Sequence, residues 1–380
     1  MRQAPPVDRL LLGSGPSPVP QRVLDALARP TVGHLDPAFV ALMEEVASLL
    51  RATFGTANRA TLPISGTGSA GMDAMVANFV EPGDRVVCGV CGLFGERMAD
   101  ELARNGAEVV RVAAEWGRAI PVESLRAAVT PATAALFVVH GETSTGVCQP
   151  LEGLGEACRE HDALFLVDCV TSLAGQPLSL DDSLVDAAFG GTQKCLNCPP
   201  GLAPFTAGDR ALEKLRARAT PPRSWYFDLS LVLGYWDGDG GRAYHHTAPI
   251  NMVYALAEAL EIVHEEGLEA RWERHAAAHA RLVGALQVLG CRRLAPDGEQ
   301  LHPLVAVTPP DGTDVEGVRK RLLTDHGIEI AAGAGPLAGR VWRIGVMGVG
   351  AELEPQERLV RALAQELGAD AEEPLAALRT

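Results

Sequence analysis

Lys194 sits in GGTQKCLNCPPG, residues 190–201, after a run of small residues and before a proline-rich turn, and no acidic residue precedes it more closely than Asp186. A solubilising lysine sits among charged neighbours on a polar helix face, so this amine is placed for something else. Upstream, the apolar run LFLVDCV carries Asp168 at its end. A carboxylate at the carboxyl end of a buried strand lies where α/β sheets build their sites, the plain alternative being a helix cap or a surface aspartate. One short crossover and one further strand separate the two groups, so they can converge at one sheet edge. Burial lowers a lysine's pKa and makes its amine a nucleophile and base near neutrality.

A lysine and an aspartate that converge in this way match the needs of pyridoxal 5'-phosphate. Lys194 would form a Schiff base with the aldehyde and move the proton, while Asp168 would keep the pyridine nitrogen protonated. The phosphate needs a cradle, and ISGTGSAGMDAMVANFV offers a glycine-rich turn entering an amphipathic helix, whose N–H groups and dipole favour a dianion. Residues 66–71, GTGSAG, also read as G-x-G-x-x-G, the dinucleotide fingerprint, which keeps a nicotinamide-dependent oxidoreductase as the competing reading. Against it, the preceding ATLPI is short and carries Pro63, and the following DRVVCGV ends in no acidic residue to grip a ribose.

Other groups suit the same site. Phe94 in CGLFGER can stack on a ring or serve as core, and Thr143 in HGETSTG can bond a ring hydroxyl. Arg343 in RVWRIGVM shares a strand face with Val341 and Gly345; an arginine among apolar neighbours needs an anion, and its planar fork suits a substrate carboxylate, the alternative being an edge-strand charge. In YHHT, residues 244–247, adjacent histidines on extended chain point apart and no Cys or carboxylate is close by. They read as supporting or core histidines, leaving Tyr244 and Thr247 free to donate to an anion. Cys88/Cys91 and Cys195/Cys198 form two Cys-x-x-Cys pairs, but they lie far apart and no histidine completes either, so no metal site is expected.

The elements that must position these groups follow from periodicity. From residue 60 to about 206, short apolar runs (DRVVCGV, AEVVRVA, TAALFVVH, ALFLVDCV, DAAFGG, LAPFTA) alternate with amphipathic ones (GERMADELARNG, PVESLRAAVT, LEGLGEACREHD), the pattern of a mostly parallel sheet between helices. Residues 207–250 have no clean period, and their aromatic content favours a packed functional loop. Helices resume in INMVYALAEALEIVHEEG, with Val253, Leu256, Leu260 and Val263 on one face, and in LEARWERHAAAHARLVGALQVLG. A small α+β part follows: strands LVAVTP, IEIAAG and VWRIGVM, the helix VEGVRKRLLTDHG, a last helix from Pro355 and an Ala/Glu-rich tail.

The chain's 380 residues and 47% hydrophobic content suit two domains with a sizeable core. A net charge of −15 argues against nucleic acid and anionic membranes and leaves small molecules as partners. No apolar run reaches membrane-spanning length and MRQAPPVDRL lacks signal-peptide features, so a cytoplasmic protein with reduced thiols is expected.

LLGSGPSPVP, GHLDPAF, SGTGSAGMDAMVANFVEPGD, HGETSTGVCQPLEGLGEAC, LFLVDCVTSLAG, GGTQKCLNCPPGLAPF, YHHTAPIN and WRIGVMG occur in the order seen in class V, fold-type I pyridoxal-phosphate aminotransferases. The chain most resembles the alanine–glyoxylate/serine–pyruvate aminotransferases. That resemblance implies a three-layer α/β large domain over residues 21–250, linking helices and a small α+β domain over 251–380, and a segment over 1–20 that closes the site. It implies Lys194 and Asp168 as catalytic residues, Phe94 over the ring and Thr143 near its hydroxyl. Gly68, Ser69 and Gln193 would hold the phosphate, with Tyr244 and Thr247 contributed across a homodimer, and Arg343 would clamp the substrate carboxylate. Ser14 and Gly15 stand in the closing loop, where family members often read Gly-Pro-Gly-Pro, which puts the choice of amino donor in question. His34 and Tyr244 favour ordinary glyoxylate enzymes over relatives acting on ureidoglycine, which replace both with amides.

Overall fold

In a computed structural model of the chain, residues 9–237 and 242–379 are described. Residues 1–8 of the expected closing segment lie outside the described residues.

Seven strands form the main sheet in the order 60–65, 202–207, 187–189, 164–168, 133–139, 85–90, 108–113. The strands Thr133–Val139, Leu164–Asp168 and Ala187–Phe189 are nearly or wholly buried and pair in parallel, as continuous apolar runs covered on both faces must. Ala60–Ser65 is an edge strand antiparallel to Leu202–Ala207, not the central parallel strand a dinucleotide site requires. Pro63 and Pro204 face each other across that pair. The Pro204 carbonyl turns to the other neighbour and accepts from Gly190 N at 2.7 Å, so neither missing N–H leaves the Pro63–Pro204 pairing short of a bond.

Helices cover the sheet. Pro37–Phe54 starts at Asp36, whose carboxylate accepts from Ala38 N at 2.8 Å, and stops at Gly55 in the left-handed region, φ +63°. Ile250–Glu266 turns Val253, Leu256, Leu260 and Val263 inward, as its period predicts, and this face joins the larger core. A second core gathers Ala278, Leu282 and Leu286 with Val305, Trp342, Ile344 and Leu359 under a four-stranded sheet. Leu12 belongs to this second core, and Leu10–Leu11 pairs in parallel with Ile328–Glu329. The N-terminal segment is therefore fastened to the C-terminal lobe.

Some elements differ from expectation. The 207–250 region contains the helices Asp209–Arg216 and Leu229–Trp236. The second is apolar at nearly every position, so no helical period is visible in LSLVLGYW; its start is fixed by Asp228 accepting from Ser230 N at 2.9 Å. IEIAAG is not one strand: Ile328–Glu329 pairs with the N-terminal segment and Ala331–Ala332 with Trp342–Gly345. The Ala/Glu tail forms the helix Glu372–Arg379, which buries Pro374, Leu375 and Leu378.

Candidate active site

Asp168 ends its strand and pairs in register with Phe189, the last residue of the next strand, so the turn bearing Lys194 leaves the sheet at the same edge. The two groups line one cavity of about 200 Å³. Gly68 and Ser69, opening the helix Gly68–Phe79, form another wall, and Phe94 and Arg97 of the helix Leu93–Arg104 a third. Gln193 completes it. Tight packing explains the small residues here: a Cβ on Gly68 would stand 3.0 Å from Val170, on Gly71 2.9 Å from Phe189, and on Gly190 2.7 Å from Leu173.

Lys194 is 7% exposed, and burial pulls its amine down to about 8. Its Nζ donates to the Ser14 carbonyl, and among the described residues no carboxylate stands within ion-pair distance. Ser17 Oγ donates to the Lys194 carbonyl at 2.6 Å and Ser17 N to Gln193 O at 2.9 Å. Burial pushes the Asp168 carboxyl up to about 7, against one hydrogen bond from Val170 N to its Oδ1 at 2.8 Å. A cation beside Asp168 would hold it ionised.

Arg343 lies on the strand Trp342–Gly345 between Trp342 and Ile344, which face the second core. Its Nε donates to Ala332 O at 2.6 Å and its Nη1 to Thr143 O at 3.1 Å. Burial lowers its pKa. With two carbonyls and no carboxylate as its partners among the described residues, the guanidinium keeps charge available for an incoming anion. Thr143 is buried, and Phe94 is half-buried with the Arg97 guanidinium 4.8 Å above its ring.

His34, Tyr244 and Thr247 are not brought to this cavity. Tyr244 is 62% exposed, its ring 5.0 Å from His34 and its hydroxyl 3.4 Å from Thr247 Oγ1. The neighbouring histidines are internal: His245 stacks on Trp225 at 4.3 Å, and His246 Nε2 meets Ser65 Oγ at 2.8 Å. Cys195 and Cys198 are both buried, and burial pushes both thiols up. Among the described residues no group of three His, Cys, Asp or Glu is placed to hold a metal.

Sequence reasoning missed four residues around the site: Ser17, Arg97, Glu142 and Asn197. Arg97 had a usable signal, one helical turn after Phe94. Glu142 had one too, as an acid between Gly141 and Thr143 beside a long apolar strand. Asn197 and Ser17 had none, because their contacts span the chain.

The residues present suit pyridoxal phosphate. The cavity holds a buried amine lowered to about 8, a carboxylate at a strand end, bare N–H groups at a helix start, and Gln193, whose amide NH2 can donate to an anion. Such a cavity at the carboxyl edge of a mostly parallel sheet defines a pyridoxal-phosphate-dependent transferase of fold type I. Within that class, the profile of the family described as Aminotransferase class-V matches residues 9–341, and the chain belongs to that family. It is 41% identical over 359 residues to (S)-ureidoglycine–glyoxylate transaminase of Bacillus subtilis (strain 168), covering 90% of this chain and 86% of that protein. It is 39% identical over 362 residues to alanine–glyoxylate aminotransferase of Callithrix jacchus, covering 94% and 87%. The crystal structure of alanine–glyoxylate aminotransferase from Nostoc sp. superposes with a TM-score of 0.93 at 47% identity, over 96% of this chain and 97% of that one. The chain is thus a transaminase that works through pyridoxal phosphate.

Proposed function

We propose that this transaminase takes the amino group of a small L-amino acid, alanine or serine, and delivers it to glyoxylate in a ping-pong cycle that yields glycine and a 2-oxo acid. The observation that carries this reading is the Lys194 amine, buried, lowered to about 8 and bonded to a neutral carbonyl, so that it loses its proton readily and acts as nucleophile and base. Bound pyridoxal phosphate supplies the electron sink that makes the substrate Cα–H acidic. Lys194 would hold the cofactor through its Nζ, and the same nitrogen would carry the Cα proton. Asp168 would hold the pyridine nitrogen protonated, Phe94 would lie against the ring, Thr143 would bond its hydroxyl, and Gly68, Ser69 and Gln193 would hold the phosphate. Arg343 would clamp the substrate carboxylate, while Ser14 and Gly15, which meet Lys194, would border the donor's approach. His34, beside Tyr244 and away from this cavity, would act only with Tyr244.

Tyr244 and Thr247 are too exposed to serve this chain's own cavity, and in our reading they reach the phosphate of a second copy in a cytoplasmic homodimer. The names of both relatives point to glyoxylate as acceptor. The relative named for (S)-ureidoglycine favours that donor as the second reading.

The test is the visible spectrum of the protein loaded with pyridoxal phosphate, followed on adding L-alanine, L-serine or ureidoglycine and then glyoxylate. Loss of the yellow band with one of these donors and its return with glyoxylate supports the assignment and ranks the donors. A band that no amino compound alters refutes it.

A further inference from the structure

Glu142 is fully buried yet lies outside every role assigned above. Its Oε2 accepts from Phe94 N at 3.0 Å and Gly95 N at 3.3 Å, the first turn of the helix Leu93–Arg104. Its Oε1 accepts from Ser144 N at 3.0 Å and Ser144 Oγ at 2.6 Å. Ser144 Oγ in turn accepts from Leu93 N at 2.9 Å. One carboxylate and one hydroxyl thus satisfy three successive N–H groups of a helix start that has no side-chain cap at Gly92.

The staple joins one wall of the cavity, the helix start carrying Phe94, to the turn holding Thr143, whose carbonyl accepts from Arg343. The staple packs directly on bare backbone: a Cβ on Gly92 would stand 2.5 Å from Glu142 Cδ and 2.3 Å from Ser144 Oγ, so the close approach requires glycine there. We propose that Glu142 is a positioning residue, whose buried carboxylate sets the height of the Phe94 ring and, through Ser144 and Thr143, the placement of Arg343. Burial raises its pKa while four hydrogen bonds from Ser144, Gly95 and Phe94 oppose that rise, consistent with a carboxylate retained for its acceptor geometry.

This inference rests on the cofactor reading above. In Glu142→Gln the amide keeps one acceptor and puts a donor against a backbone N–H, so the join between the helix start and the Thr143 turn loosens while volume is conserved. Pyridoxal phosphate is titrated into wild type, Glu142→Gln and Ser144→Ala, and each is followed by affinity, by visible circular dichroism per bound cofactor, and by thermal melting. Wild type is expected to develop the yellow band. Glu142→Gln should bind cofactor roughly tenfold or more weakly, the loss of bonds to a charged group, with altered dichroism per bound cofactor even at saturation. Ser144→Ala should move both in the same direction and decides the matter if Glu142→Gln does not fold. Variants that match wild type in affinity and dichroism, whatever their melting temperature, overturn the positioning role. A wild type without the band overturns the cofactor reading itself.

Discussion

A Cβ placed on Gly15 would stand 2.8 Å from Lys194 Cδ and 2.9 Å from its Nζ, so the N-terminal segment meets the amine with bare backbone. Gly15 also holds φ at +102°, where a side chain is strained. Gly15→Ala should therefore push the lysine out of line. The expected result is a weakened yellow band and a kcat lowered about tenfold or more, alongside a stability loss of about 1–3 kcal/mol from the strained φ.

Removing the amine isolates its role. Lys194→Ala should abolish turnover with every donor while the protein still takes up pyridoxal phosphate; after borohydride reduction and denaturation the cofactor should stay on the wild-type chain and filter away from the variant. Retained turnover would sink the assignment of Lys194.

Arg343 is half-buried and donates only to carbonyls among the described residues, so its charge matters most when a carboxylate arrives. Arg343→Ala should raise KM for the amino donor by roughly a hundredfold, about 3 kcal/mol, with a smaller effect on kcat. A kcat loss at unchanged KM would assign the arginine elsewhere.

The buried carboxyl makes a pH prediction. Asp168 rises from 3.8 to about 7 in the folded, cofactor-free protein, so between those values the native state holds the proton and the unfolded state does not. Its contribution to stability is full below pH 3.8 and is lost as pH rises through 7, by about 4 kcal/mol at most. Lys194 acts with the opposite slope and in another window: its folded pKa near 8 lies below 10.5, so its deprotonation adds stability between those values. Denaturant unfolding of the cofactor-free protein should thus show a fall between about pH 4 and 7 that Asp168→Asn removes. An unchanged slope in that variant would contradict the burial of this charge.

Asn197 ties three parts of the chain beside the site. Its Nδ2 donates to Ser17 Oγ at 3.0 Å, Pro18 O at 3.0 Å and Met347 O at 3.2 Å, and its Oδ1 accepts from Arg271 Nη2 at 3.0 Å. Asn197→Ala should cost about 2–4 kcal/mol in unfolding free energy and lower activity as well, because the unpaired groups stay buried and the Lys194 turn loses its brace. Wild-type stability in that variant would count against the brace.

Much of this molecule could be read along the chain. Val, Leu and Phe runs such as TAALFVV and LFLVD betray strands covered on both faces, and Lys194 and Asp168 stand out because charged groups are rare beside such runs. The reading failed where local pattern is silent. LSLVLGYW has no polar face to set a period, and IEIAAG changes partner midway, from the N-terminal strand to the arginine-bearing strand.

Local composition and periodicity act over one or two turns of chain, and at that range they already dictated an alternating sheet, a glycine-rich helix start and a buried amine and carboxylate at strand ends. Ser17 and Lys194 meet across 177 residues, and Thr143 and Arg343 across 200. No propensity extends that far. Which backbone touches the amine, which carbonyls orient the arginine and which carboxylate joins the Phe94 helix to the Thr143 turn became definite only when the two cores packed, because a buried polar group accepts whatever partner the packing brings within hydrogen-bond reach.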